Sequence, residues 1–113
     1  MDGITSMQTH MKIIRSREFV ASRPWGAELI AAIPDATVKL HWSDQPYRWH
    51  VNDGEEVFAV MDGEVDMHYR QDGQEHVVTL HAGDLFFAGE GDAHCAHPRG
   101  VARILVIERA DSV

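Results

Sequence analysis

Two stretches of the sequence hold side chains suited to chemistry. In Trp49-His50-Val51-Asn52-Asp53-Gly54-Glu55-Glu56, His50 and Asn52 are two residues apart, so on a strand both point to one face and can converge on one point. Glu56 follows the Asp53-Gly54 turn and shares the parity of Phe58 and Val60, which places its carboxylate on the interior face of the next strand. A buried carboxylate without a partner is costly or stays protonated, and a metal ion is one group that relieves it. The second stretch, Gly83-Asp84-Leu85-Phe86-Phe87-Ala88-Gly89-Glu90-Gly91-Asp92-Ala93-His94, ends in a histidine after a glycine-rich turn. Glycines at Gly89 and Gly91 allow a tight reversal that aims His94 back toward the interior.

The elements that must carry these groups read as short strands. From residue 37 onward, turn signals recur at Asp44-Gln45-Pro46, Asp53-Gly54, Asp62-Gly63, Asp72-Gly73, Ala82-Gly83-Asp84, Gly89 to Asp92 and Pro98-Arg99-Gly100, the rhythm of an all-β sandwich or barrel. Between the signals the residues alternate. Glu64 to Arg70 puts Val65, Met67 and Tyr69 on one face, and Thr37 to Trp42 alternates likewise, with Val38, Leu40 and Trp42 expected inward. Asp62-Gly63 and Asp72-Gly73 are expected as tight hairpin turns. Arg103-Ile104-Leu105-Val106-Ile107 is apolar on both faces and reads as a buried closing strand. Ala27 to Ile33 is the best helix candidate, but it is short and reads equally well as an early strand.

Composition bounds the function. The chain has 113 residues, 44% of them hydrophobic and 25% charged, which suits one soluble globular domain with one core. That domain is expected over residues 12–113, with its motifs over 37–109, behind a loose tail over residues 1–11 that carries Met1, Met7 and Met11 without periodicity. A formal net charge of -8 and the lack of a basic patch disfavour nucleic acid as a partner. The single cysteine, Cys95, makes no internal disulfide, so a reducing, cytoplasmic setting is expected. No apolar run has the length of a signal peptide or a membrane span, which disfavours secretion and membrane insertion.

Taken together, the two stretches resemble the paired motifs of the cupin family. The first cupin motif is H-x-H, three or four residues, E, six residues, G; here it stands as His50-Val51-Asn52, three residues, Glu56, six residues, Gly63. The second is G, five residues, P-x-G, two residues, H; here it stands as Gly83, five residues, Gly89-Glu90-Gly91, two residues, His94. The small single-domain cupins of the mannose-6-phosphate isomerase-like group are most similar, because Trp49-His50 echoes their W-H-x-H opening. There are two departures: Asn52 replaces the second histidine and Gly89 replaces the proline.

The resemblance implies a small jelly-roll β-barrel, a double-stranded β-helix, that forms a homodimer and binds a small-molecule ligand or substrate. It implies one divalent transition metal ion held by His50, Glu56 and His94, with Asn52 at the position of the missing imidazole. Two imidazoles and a carboxylate are the set associated with open-sided non-haem iron, and zinc, manganese and nickel accept it too. Because an amide oxygen is a weaker ligand than imidazole, lower affinity and one more open position are expected. The leading functional reading is a metal-dependent enzyme acting on a small oxygenated metabolite, of isomerase, dioxygenase or decarboxylase type. Beside it stand a non-catalytic module that binds a small ligand or metal, and a metal-free epimerase, which would need a His/Asp pair that the sequence does not supply. Asn52 is also consistent with a lost site, in which Glu56 is protonated or hydrogen-bonded to His50 or Asn52.

The remaining candidates read more plainly. His10, His41, His68, His76 and His81 fall in the tail, in a turn or on polar strand faces and are expected to be solvated. His97 and Cys95 lie on the opposite parity from His94, with Cys95 a small buried residue. Trp42, Trp49, Phe58, Phe86 and Phe87 are expected as core. Arg48 shares the parity of His50, and a cation at the mouth would suit a carboxylate or phosphate.

Overall fold

The computed structural model describes residues 11–112. Of the expected tail, residues 1–10 lie outside the described residues, and Met11 is exposed. After a short 3-10 turn at Ser16–Glu18 come seven strands: β1 (Gly26–Ile33), β2 (Ala36–Ser43), β3 (His50–Val51), β4 (Glu56–Gln71), β5 (Gln74–His81), β6 (Leu85–Ala88) and β7 (Ala93–Arg109). All pair antiparallel in the order β1-β2-β7-β4-β5, with β3 added to β7 and β6 added to β4. This is the jelly roll that the motifs imply, and the stretch Ala27 to Ile33 is a strand.

Two long strands hold the barrel together. The first part of β4 lies between β6 and β7 and its second part between β5 and β7, while β7 pairs first with β3 and then with β2. The sheet changes course where the β4–β7 register shifts around Asp62. Asp62-Gly63 is therefore no hairpin turn: Gly63, at φ 83°, is a bulge inside β4. Pro98-Arg99-Gly100 is likewise a bend within β7, whereas Asp72-Gly73, with φ of 55° and 75°, makes the expected hairpin of β4 and β5. Folding the sheet over lets Phe58, Val60, Ile104 and Val106 from one half and Val65, Met67, Leu80 and Ala96 from the other form one buried cluster.

The facing of β2 is the reverse of the sequence expectation. Leu40 is the register partner of Leu105, which in turn opposes Ala59, whereas His41 opposes Ile104 and so shares the interior face of Val60. Leu40, although buried, lies with half-buried Val38 and Trp42 on the outer face. Phe87 is also on the outside, 61% exposed, rather than in the core, while Phe86 packs against the central cluster.

The bulge at Gly63 has no room for a side chain, since a Cβ there would stand 2.4 Å from the Val101 carbonyl oxygen. Gly63→Ala is expected to lower stability by about 2 kcal/mol or more in urea unfolding, from positive φ plus backbone crowding. Gly73→Ala shares the positive φ but meets nothing within 4 Å, so it should lose only about 1 kcal/mol.

Candidate metal centre

The site begins with one pairing. His50 in β3 is the direct register partner of His94 in β7, so both rings project from the same face with centroids 4.3 Å apart. Backbone bonds lock the connecting turn to Asn52: Asn52 N donates to Asp92 O at 2.9 Å and Gly91 N donates to Asn52 O at 2.8 Å. Gly91 has the left-handed φ, 89°, that the reversal needs. Gly89 does not; its N–H donates to the Asp92 carboxylate at 2.7 Å instead. Glu56 reaches the same point from the start of β4, as its parity with Phe58 and Val60 predicts.

The four side chains named from the sequence converge. Donor atoms of His50, Glu56 and His94 all lie within 4.8 Å of one another. His94 Nε2 stands 2.8 Å from Asn52 Oδ1 and 3.1 Å from Glu56 Oε1. Donors bound to one ion at about 2.1 Å stand roughly 3 Å apart, so these spacings fit a metal. The His50 tautomer fits as well. Its Nδ1–H donates to the Arg48 carbonyl at 3.3 Å, which leaves the Nε2 lone pair free for a ligand bond. His94 differs: Nδ1 is enclosed and has no protein partner, so this ring lacks the carbonyl that orients His50. With no ion, Nε2–H of His94 donates to Asn52 and Glu56; with one, it must give up that proton.

The electrostatics favour a charged Glu56 carboxylate and make the His50 ring harder to charge. Burial alone would raise the Glu56 carboxyl, but the hydrogen bond and charge of His94, then Asn52 and His50, outweigh it and hold it below its ordinary value. Burial, and then the neighbouring His94, pushes the His50 imidazole down. The donor set lines a cavity of about 400 Å³ that also takes in Trp25, His41, Tyr47, Arg48, Phe58 and Glu108. That is the lower end of the size range of small-molecule sites. Arg48 stacks over the Tyr47 ring at 5.1 Å, at the mouth as its parity suggested.

His41, Trp25 and Glu108 were not legible as parts of this cavity. His41, expected in solvent, lines it because β2 presents the opposite face. Ser43, on the same face as Thr37, Lys39 and His41, is fully buried at 0% exposure, but its residue type gave no sign of this in the sequence. Cys95 is buried as expected, with its thiol donating to the Tyr47 carbonyl at 2.9 Å, and His97 faces away from the site, its ring tilted against His68 at 4.2 Å; Trp49 is half-buried beneath Arg70 rather than in the core. His68 and His76 are half-buried rather than solvated, and His81 is exposed.

Comparisons with known proteins bear on the family and the fold. A family model described as Cupin domain matches residues 37–108. No curated protein matches the chain. The crystal structure of a cupin-2 domain containing protein from Shewanella frigidimarina is 29% identical, with a TM-score of 0.69 over 79% of this chain and 84% of that one. A conserved protein of unknown function from Streptococcus pyogenes has a TM-score of 0.73 at 12% identity, over 88% of each chain. Hydroquinone 1,2-dioxygenase, solved in complex with Cd2+ and 4-hydroxybenzonitrile, has a TM-score of 0.66 at 18% identity, over 78% of this chain and 66% of that one. The last two likenesses are of fold.

Two carboxyls of the cavity should titrate in opposite senses. Glu108 is held above its ordinary value of 4.5, by burial first and by the charge of Glu56 next. Its contribution to stability is present below 4.5 and lost as pH rises through the raised value. Glu56, held low, contributes above 4.5 and loses that contribution as pH falls through its depressed value. Glu108→Gln should therefore raise the thermal midpoint of metal-free protein at neutral pH, and Glu56→Gln should lower it. Both differences should shrink in acid, and a Glu108→Gln midpoint at or below wild type at neutral pH would contradict this account.

Proposed function

The chain belongs to the cupin family, and from that premise we propose that it binds one divalent transition metal through His50, Glu56 and His94 and acts as a metal-dependent enzyme on a small oxygenated metabolite. The observation that carries this reading is the convergence of three donors within 4.8 Å in a ligand-sized cavity, with the His50 tautomer already set for ligation. When bound, such an ion acts as a Lewis acid toward oxygen donors. The chain's own residues supply the rest. Glu56 offers the single negative charge of the set, and Asn52 places a neutral oxygen 2.8 Å from His94 Nε2, where the family pattern has an imidazole. Tyr47 and Trp25 wall the mouth, and Arg48 offers a cation to an acidic group on the substrate.

A second reading, a binding module without catalysis, is favoured by one observation. The hydrogen bonds from His94 to Asn52 and Glu56 satisfy the charged carboxylate without any ion. Metal analysis separates the metal reading from a module that holds no metal. Protein purified without a His tag and dialysed against excess zinc, iron(II), manganese or nickel should hold about one ion per chain. His50→Ala and His94→Ala should each abolish tight binding, and Asn52→His should tighten it at least tenfold, about 1.4 kcal/mol. Wild-type protein that stays substoichiometric with every ion would overturn the metal reading, and an unchanged Asn52→His affinity would refute the weak-ligand account of Asn52.

A further inference from the structure

One titratable group in the cavity is used by none of the chemistry above. His41 lines the same space as His50, Glu56 and His94 but is not among the converging donors. Its Nδ1 lies 3.3 Å from the Trp25 carbonyl oxygen, which can only accept, so Nδ1 carries the proton. Among the described residues Nε2 has no hydrogen-bond partner, nor is it among the enclosed polar atoms left without one, so it keeps some exposure on a ring that lines the cavity. With Nδ1 turned to the Trp25 carbonyl, the neutral ring carries its lone pair on the partly exposed Nε2. Burial, the largest influence on it, holds it neutral by lowering its affinity for a proton; nearby Lys39 acts in the same sense, and the Trp25 carbonyl and Glu56 oppose.

The carbonyl that fixes this tautomer is itself held in an unusual way. Trp25 takes a φ of 60°, a left-handed conformation that bulky residues rarely adopt. Its ring secures it, with Nε1–H donating to Gln45 O at 2.9 Å and an edge-on contact with Tyr47 at 5.3 Å. Backbone strain of this sort persists where surrounding contacts over-determine it and clusters at functional sites. Here it turns a carbonyl onto His41.

We propose that the cavity takes a small carbonyl compound with an acidic C–H next to its carbonyl, and that His41 Nε2 is the base that accepts the proton from that carbon. The proposal rests on the metal reading for how the carbonyl oxygen is held, and it selects proton transfer over oxygenation, which needs no such base. In the step, the C–H bond breaks and its proton goes to Nε2. The electron pair forms the new carbon–carbon double bond while the carbonyl pair moves onto oxygen, giving an enolate. Once the proton on Nε2 has traded with solvent, its return to the same carbon gives exchange; delivery instead to the former carbonyl carbon of a hydroxy-carbonyl compound, with the hydroxyl proton passing to the enolate oxygen, gives isomerisation with no oxidant consumed.

Two measurements test this. On metal-free protein, long-range 15N NMR at neutral pH should show His41 uncharged, with Nδ1 protonated and Nε2 bare; a charged ring or the opposite tautomer overturns the proposal whether or not metal binds. With zinc-loaded protein in D2O, proton NMR should show the C–H signals of pyruvate or dihydroxyacetone exchanging faster than in protein-free zinc solution. His41→Gln, whose amide can still donate to the Trp25 carbonyl, should keep the zinc content and slow exchange about a hundredfold or more. Exchange at the wild-type rate in His41→Gln, or none above background with zinc-loaded wild type, overturns the proposal. Failure of wild type to retain zinc overturns the metal reading instead.

Discussion

The pairing of His50 with His94 is the constraint on which the rest of the site depends. β3 has only two residues, and its bonding to the start of β7 joins two stretches of chain far apart in sequence. A slip of one residue would turn both rings to the other face, because side chains alternate along a strand. The bonds between Asn52 and the Gly91–Asp92 turn prevent that slip and bring the amide of Asn52 into the ring of donors at the same time. Glu56 then needs only to begin β4 on the interior parity. One short piece of ladder therefore fixes three of the four side chains, and β4 delivers the fourth.

The barrel around this point is built in two parts with different demands. Near the bulges, Val60, Val65, Met67, Ala102 and Ile104 exclude solvent almost entirely and supply the apolar burial that holds the fold. Farther along the same interior face the lining turns polar, with His41, His50, Glu56, His94 and Glu108 around an open volume. Burial of so many ionisable groups in one cavity acts on each differently: it makes His41 and His50 harder to charge and holds Glu108 up, whereas at Glu56 the neighbouring His94, Asn52 and His50 outweigh it. An ion would relieve only part of this set, since it engages Glu56 but leaves Glu108 and His41 to the substrate side. The mouth is held differently, by aromatic edges from Trp25 through Tyr47 to His50.

Much of this was written in local spacing. The His50, Asn52, Glu56 and His94 group follows from strand parity and two turns, and it converges as those rules require. Alternation placed Val65 and Met67 in the core, and opposite parity placed Cys95 and His97 away from the site. Local rules failed where a choice between two faces or two backbone paths was made from a distance. Asp62-Gly63 carries a turn signature, yet continuous pairing of β4 with β7 makes it a bulge. Phe87 has the chemistry of a core residue but its pairing opposite Val57 sets it on the outside.

The sequence by itself thus determined which residues could meet: donor types, their parity and the turns that return them are all local properties of the chain. Only the tertiary structure decided which side of β2 became the interior. Alternation shows that a strand has two faces and favours burying the apolar one, but a barrel that encloses a polar-lined cavity inverts that preference along part of its length. His41 is the residue that changes meaning as a result. Its ring lines the site because of the register between β2 and β7, and its Nδ1 is engaged by the carbonyl at Trp25; neither is a property of the residues beside it.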